Sequence, residues 1–85
     1  MSSYTLIWQP AAVAGLIRIR NVDPHTAKTI RSAIGALAHD PRLDGSTPLG
    51  TEGLRRLRLG DARILYDVDD SNHAVQILTV GQMRR

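Results

Sequence analysis

From Leu54 to Tyr66 the chain sets leucine against arginine, breaks at Gly60-Asp61, and then alternates again. A two-residue period does not suit a helix, which needs apolar residues at three- and four-residue steps. It describes a strand with one face on a core and the other in water. The segment therefore predicts two strands, 54–59 and 62–68, joined by a tight turn at Gly60. A third follows at 74–80, after the turn residues Asp69-Asp70-Ser71-Asn72. In segment 54–66, Arg55, Arg56, Arg58 and Arg63 face a single acid, Asp61. The hairpin thus carries the whole formal excess of +3, and the remaining charges balance.

Residues two apart on a strand share a face. Burying Leu57, Leu59, Ile64, Tyr66 and Val68 leaves Arg56, Arg58 and Arg63 together on the opposite face, with Arg55 at the rim. Cross-strand neighbours lie about 4.5–5.5 Å apart, and like charges at that distance repel. Guanidinium groups donate in a fork that matches phosphates and carboxylates, so this face is suited to an anion.

The rest of the chain supplies a cover for the other face. Tyr4–Trp8 is a short β-prone run. Pro10 suits the first turn of a helix over 10–20, where Val13, Leu16 and Ile17 recur at helical spacing. Asp23-Pro24 is a helix start, an acid cap followed by proline. From there Ala27, Ile30, Ala33, Ile34 and Leu37 form one apolar stripe through Ala38, and Pro41 ends it. The two helices, joined by two or three residues, form an antiparallel hairpin. Residues 40–53 are rich in Gly, Pro, Ser and Asp and read as a loop of about fourteen residues, a length that is usually functional in a small domain. The order is β-α-α-β-β-β: one α+β domain spanning 1–85, an antiparallel sheet with a helical hairpin on one face.

Composition narrows the function. An 85-residue chain buries only about 60–65% of its unfolded surface, so a permanent partner is plausible. There is no cysteine for a disulfide or a cysteine-based zinc site. His25, His39 and His73 lack second ligands at metal spacing, so no metal site is assigned. No run of about 18 apolar residues or signal pattern is present, so the chain reads as cytoplasmic, without membrane association. Tyr4, Trp8 and Tyr66 are the only aromatics, too few for binding by base stacking.

The run Leu57-Arg58-Leu59-Gly60-Asp61-Ala62-Arg63-Ile64-Leu65-Tyr66-Asp67-Val68, followed by Val75-Gln76-Ile77-Leu78-Thr79-Val80-Gly81, resembles the RelE/ParE superfamily of small bacterial toxins, on the RelE side. Tyr4–Trp8, Pro10-Ala11 and the second-helix stripe extend the resemblance over almost the whole chain. It implies the RelE-like, microbial-RNase-type fold. It also implies the toxin of a type II toxin–antitoxin system: an mRNA interferase that enters the ribosomal A site, cuts mRNA and inhibits translation. The 2′-hydroxyl would attack the adjacent phosphate to give a 2′,3′-cyclic phosphate, with no metal or small cofactor and with the ribosome as scaffold. The implied partners are a RelB-like antitoxin, the ribosome and mRNA, and operator DNA through the antitoxin.

Residue by residue, the resemblance assigns catalytic roles to Arg56, Arg58 and Arg63, and substrate contacts to Arg55, Arg84 and Arg85. The sequence departs from the family at Ala62, where tyrosine is common. It also has Gln82 at a histidine- or lysine-like position, Met83 at an arginine position, and no late tyrosine. Arginine cannot act as a base at ordinary pH; Glu52 is a candidate carboxylate base, with a loop surface role as its alternative, and His39 is a second candidate base, with a helix-end role as its alternative. The expectation is a site that grips phosphate but cleaves weakly. The competing readings are a ParE-like gyrase poison on the same fold and a degenerate toxin serving as antitoxin partner and co-repressor.

Overall fold

The computed structural model describes residues 3–50 and 52–83. Five strands and two helices follow one another as β1 (Thr5–Trp8), α1 (Pro10–Val22), α2 (Pro24–Ala36), β2 (Ser46–Pro48), β3 (Leu54–Leu59), β4 (Ala62–Asp69) and β5 (Ala74–Gln82). The sheet order is β1-β5-β4-β3-β2. Both helices lie over one face, so the α+β architecture is the expected one.

Two features differ from the sequence reading, which expected an antiparallel sheet and a loop throughout 40–53. The sheet is mixed, because β1 pairs in parallel with β5 while the other pairs are antiparallel. The expected loop over 40–53 also contains β2, an edge strand paired with Arg55–Leu57. Pro48 has no N–H to donate, which an edge strand tolerates.

The helices are joined by one residue. Asp23 closes α1, its N–H bonding the Ile19 carbonyl at 2.7 Å. It also caps α2, accepting from the Thr26 N–H at 3.2 Å and the Thr26 hydroxyl at 2.6 Å. A side-chain oxygen at this position satisfies a helix-start N–H that has no intrahelical partner. After Ala36 the chain tightens into bonds that reach back three residues, from Leu37, Ala38 and His39. This shortens α2 relative to the apolar stripe.

The covered face is the one parity selects. Leu57, Ile64, Tyr66 and Val68 are buried, and Leu59 is half-buried against Ile30, Ile34, Leu37, Val75 and Ile77. The Tyr66 hydroxyl donates to the Pro41 carbonyl at 2.7 Å, which satisfies a polar group that would otherwise be costly to bury. Helix α1 crosses β5 at Gly15, where a Cβ would overlap the Val80 carbonyl oxygen. Gly60 takes the positive φ (+61°) that the β3–β4 turn requires. No helix among the described residues is long and apolar enough to cross a membrane.

Candidate functional site

Among the described residues no helix lies over the opposite face of the sheet. On β3 it presents Arg56 and Arg58. Register places Arg58 across from Arg63 on β4, and Arg63 across from Gly81 on β5. The next row runs Thr47, Arg56, Leu65, Thr79. Arg58 is exposed, while Arg56 and Arg63 are half-buried. Among the described residues no hydrogen bond or ion pair engages the three guanidinium groups. The Arg56 Nε is shut off from water without a partner. A depression of about 380 Å³ opens here, its lining including Arg56, Arg63, Leu65, Thr79, Gly81 and Met83, together with Leu49. Its lining combines aliphatic side chains with cationic donors, a chemistry suited to an anion that carries an apolar part.

Other sequence candidates fall elsewhere. Arg55 lies on the opposite face from Arg56. Its guanidinium is occupied by Ser46, with Nε and Nη2 at 3.1 and 2.9 Å from the hydroxyl oxygen. It therefore braces β2 against β3 and does not extend the cationic row. Glu52 is exposed and lines a separate hollow with Arg42, Asp67, Asp69 and Asp70, beyond the other end of β3. Arg84 and Arg85 lie outside the described residues. Gln82 borders the depression, but its amide is held at 3.3 Å from Asp61 and 3.4 Å from Asp23. It pairs in register with buried Ala62 and not with the arginine row. Gly81, Thr79, Leu49 and the aliphatic floor were not anticipated. A bulge facing Leu65 and Tyr66 shifts the parity of β5 at this point, so alternation alone does not place them.

The acidic end of the sheet is internally paired. Arg42 bridges Asp70 at 2.7 Å, and the Tyr4 hydroxyl donates to the same carboxylate at 2.6 Å. These donors, Arg42 first, hold the Asp70 carboxyl below the usual aspartate range. Asn72 does the same for Asp69. Tyr4 also stacks on His73, with ring centroids 4.1 Å apart. Among the described residues no group of three His, Asp or Glu side chains is placed to hold a metal ion.

A family model described as the ParE toxin of type II toxin–antitoxin systems (parDE) matches residues 6–85. The chain belongs to the RelE/ParE toxin family. This RelE/ParE member is 30% identical to a chain of the toxin–antitoxin complex RelBE2 from Mycobacterium tuberculosis. That match has a TM-score of 0.77 over 95% of this chain and 99% of the other. It also shares its fold with a chain of the archaeal RelE–RelB complex from Pyrococcus horikoshii OT3 (TM-score 0.82, 22% identity, 100% and 99% covered). The isolated E. coli RelE toxin is a further fold match (TM-score 0.79, 19% identity, 96% and 86% covered). No curated protein matches at a significant level. The RelE/ParE toxin is thus the toxin component of a type II toxin–antitoxin pair, and the arginine row lies on the uncovered face of its sheet.

Proposed function

We infer that this toxin cleaves messenger RNA on the ribosome in the cytoplasm. The observation that carries the reading is the unpartnered row of Arg56, Arg58 and Arg63 beside the depression. In-line attack by a 2′-hydroxyl forms a bond to phosphorus and breaks the bond to the 5′-oxygen, leaving a 2′,3′-cyclic phosphate. The pentacoordinate intermediate gathers negative charge on its non-bridging oxygens. Fixed guanidinium donors aimed at those oxygens stabilise it more than the ground state. Proton transfer is the weaker half of the site. Glu52 lies at the acidic end, and no described carboxylate or histidine lines the depression. A reduced rate is therefore expected. The ribosome serves as the scaffold that positions the message.

The partner is an acidic, RelB-like antitoxin, through which the pair reaches operator DNA. A groove of about 210 Å³ on the helical hairpin, floored by Leu16 and Ile17 and rimmed by Arg20, Lys28 and Arg31, suits an acidic amphipathic segment. The description of the matching family model as a ParE toxin favours a second reading, a gyrase poison. Two assays run side by side separate them: primer extension on mRNA in a cell-free translation reaction, and supercoiling by purified gyrase. Cleavage that disappears in Arg63→Ala supports the ribonuclease. Lost supercoiling with intact mRNA supports the gyrase poison, and antitoxin binding with neither effect supports a degenerate toxin.

A further inference from the structure

Gly81 has no reason in the fold to be glycine. Gly15 and Gly53 are forced by close backbone neighbours, Val80 and Val68, and Gly45, Gly50 and Gly60 by positive φ; Gly35 and Gly81 meet neither condition, and of these two only Gly81 lies in a strand and lines the depression beside the arginines. A Cβ built there finds nothing within 4 Å, and the residue is exposed within β5. Glycine inside a strand weakens it and marks a bulge, a bend, or the close approach of another backbone or a ligand; the β5 bulge lies between Ile77 and Thr79 and no backbone approaches Gly81, which leaves a ligand.

Its position supplies the ligand's chemistry. Gly81 ends the row Arg58, Arg63, Gly81, so two cationic side chains lead onto bare backbone. Thr79 and Met83, two residues to either side of it, line the same depression. Leu65 lies between Thr79 and Arg56 in the neighbouring row and lines it too. We propose that Gly81 is a substrate-binding residue whose missing side chain forms a slot for the sugar-phosphate backbone of an extended single-stranded RNA, lying across β5 with its phosphate on Arg63 and Arg56. The described lining contains no aromatic platform, so the slot holds backbone and leaves base choice to other contacts. This deepens the ribonuclease reading and rests on it.

The test is primer extension on translated mRNA in a cell-free reaction, with melting temperatures measured on the same samples. Gly81→Val should cut cleavage on the order of 10- to 100-fold, because displacement of a scissile group by about an ångström has effects of that size. Its melting temperature should not fall, since a β-branched residue suits a strand. Gly81→Ala should give a smaller loss. Gly35→Ala, a matched control on the exposed face of α2 with equal open space, should cleave as wild type does. Wild-type cleavage by a normally melting Gly81→Val overturns the slot alone. If Gly81→Val melts early, Gly81→Ala decides: reduced cleavage at an unchanged melting temperature supports the slot, and full cleavage overturns it. Absence of any Arg63-dependent cleavage by the wild type removes the ribonuclease reading and the slot with it.

Discussion

Arg42 and Arg63 flank the same sheet and are treated in opposite ways. Arg42 is tied to Asp70, which Tyr4 also bonds, at an end of the sheet where positive and negative groups answer one another. Arg63 stands across from Arg58, a like charge, with no acid engaged among the described residues. The difference separates charge that is paired within the domain from charge that the described residues leave unpaired. Like charges aligned across a strand pair cost stability, and an anionic ligand recovers it.

The comparison is broken or sharpened by substitution. The largest effect is expected at Arg63→Ala, with primer-extension cleavage reduced by about 10²–10³, the usual consequence of removing one fixed donor to a transition-state oxyanion. Its melting temperature should stay level or rise as repulsion with Arg58 is relieved. An Arg63→Ala protein that cleaves normally but melts early would reverse the contrast. One residue further on, Ile64→Ala should lose about 2–5 kcal/mol in urea titration, because its side chain is fully buried. Tyr66→Phe should lose about 1–3 kcal/mol by leaving the Pro41 carbonyl unsatisfied. Neighbours on one strand would then show opposite phenotypes, one set in activity and the other in stability.

The smallest effect is expected at Asp70→Asn, and it depends on pH. Arg42 and then Tyr4 lower the folded-state value of this carboxyl. Its contribution is therefore present above the unfolded aspartate value and is lost as pH falls through the lowered one. The difference in melting temperature between wild type and Asp70→Asn should be greatest near neutrality and close in acid. A gap that widened on acidification would contradict the pairing.

The parts legible in the sequence are those set by local rules. Alternation and Gly60 give the β3–β4 hairpin, and the Asp23-Pro24 cap gives the start of α2. Parity alone places Arg56, Arg58 and Arg63 on one face. Pairing across distance is less visible. Nothing in Ser46-Thr47-Pro48 alternates, so β2 looks like loop until Arg55–Leu57 lies beside it. The parallel match of Thr5–Trp8 to Ala74–Ile77 leaves no trace in either segment. The bulge beside Leu65 and Tyr66 hides the facing of Gly81 and Met83, which is why the depression emerges only from the folded chain.

The sheet order carries a consequence for synthesis. Strand β1 has a single sheet neighbour, β5. The first strand to leave the ribosome therefore waits for the last of the five before it has anything to pair with. Contacts of such long separation close slowly and late. Gly81 is part of that last strand, so the slot beside Arg63 does not exist on a partly made chain.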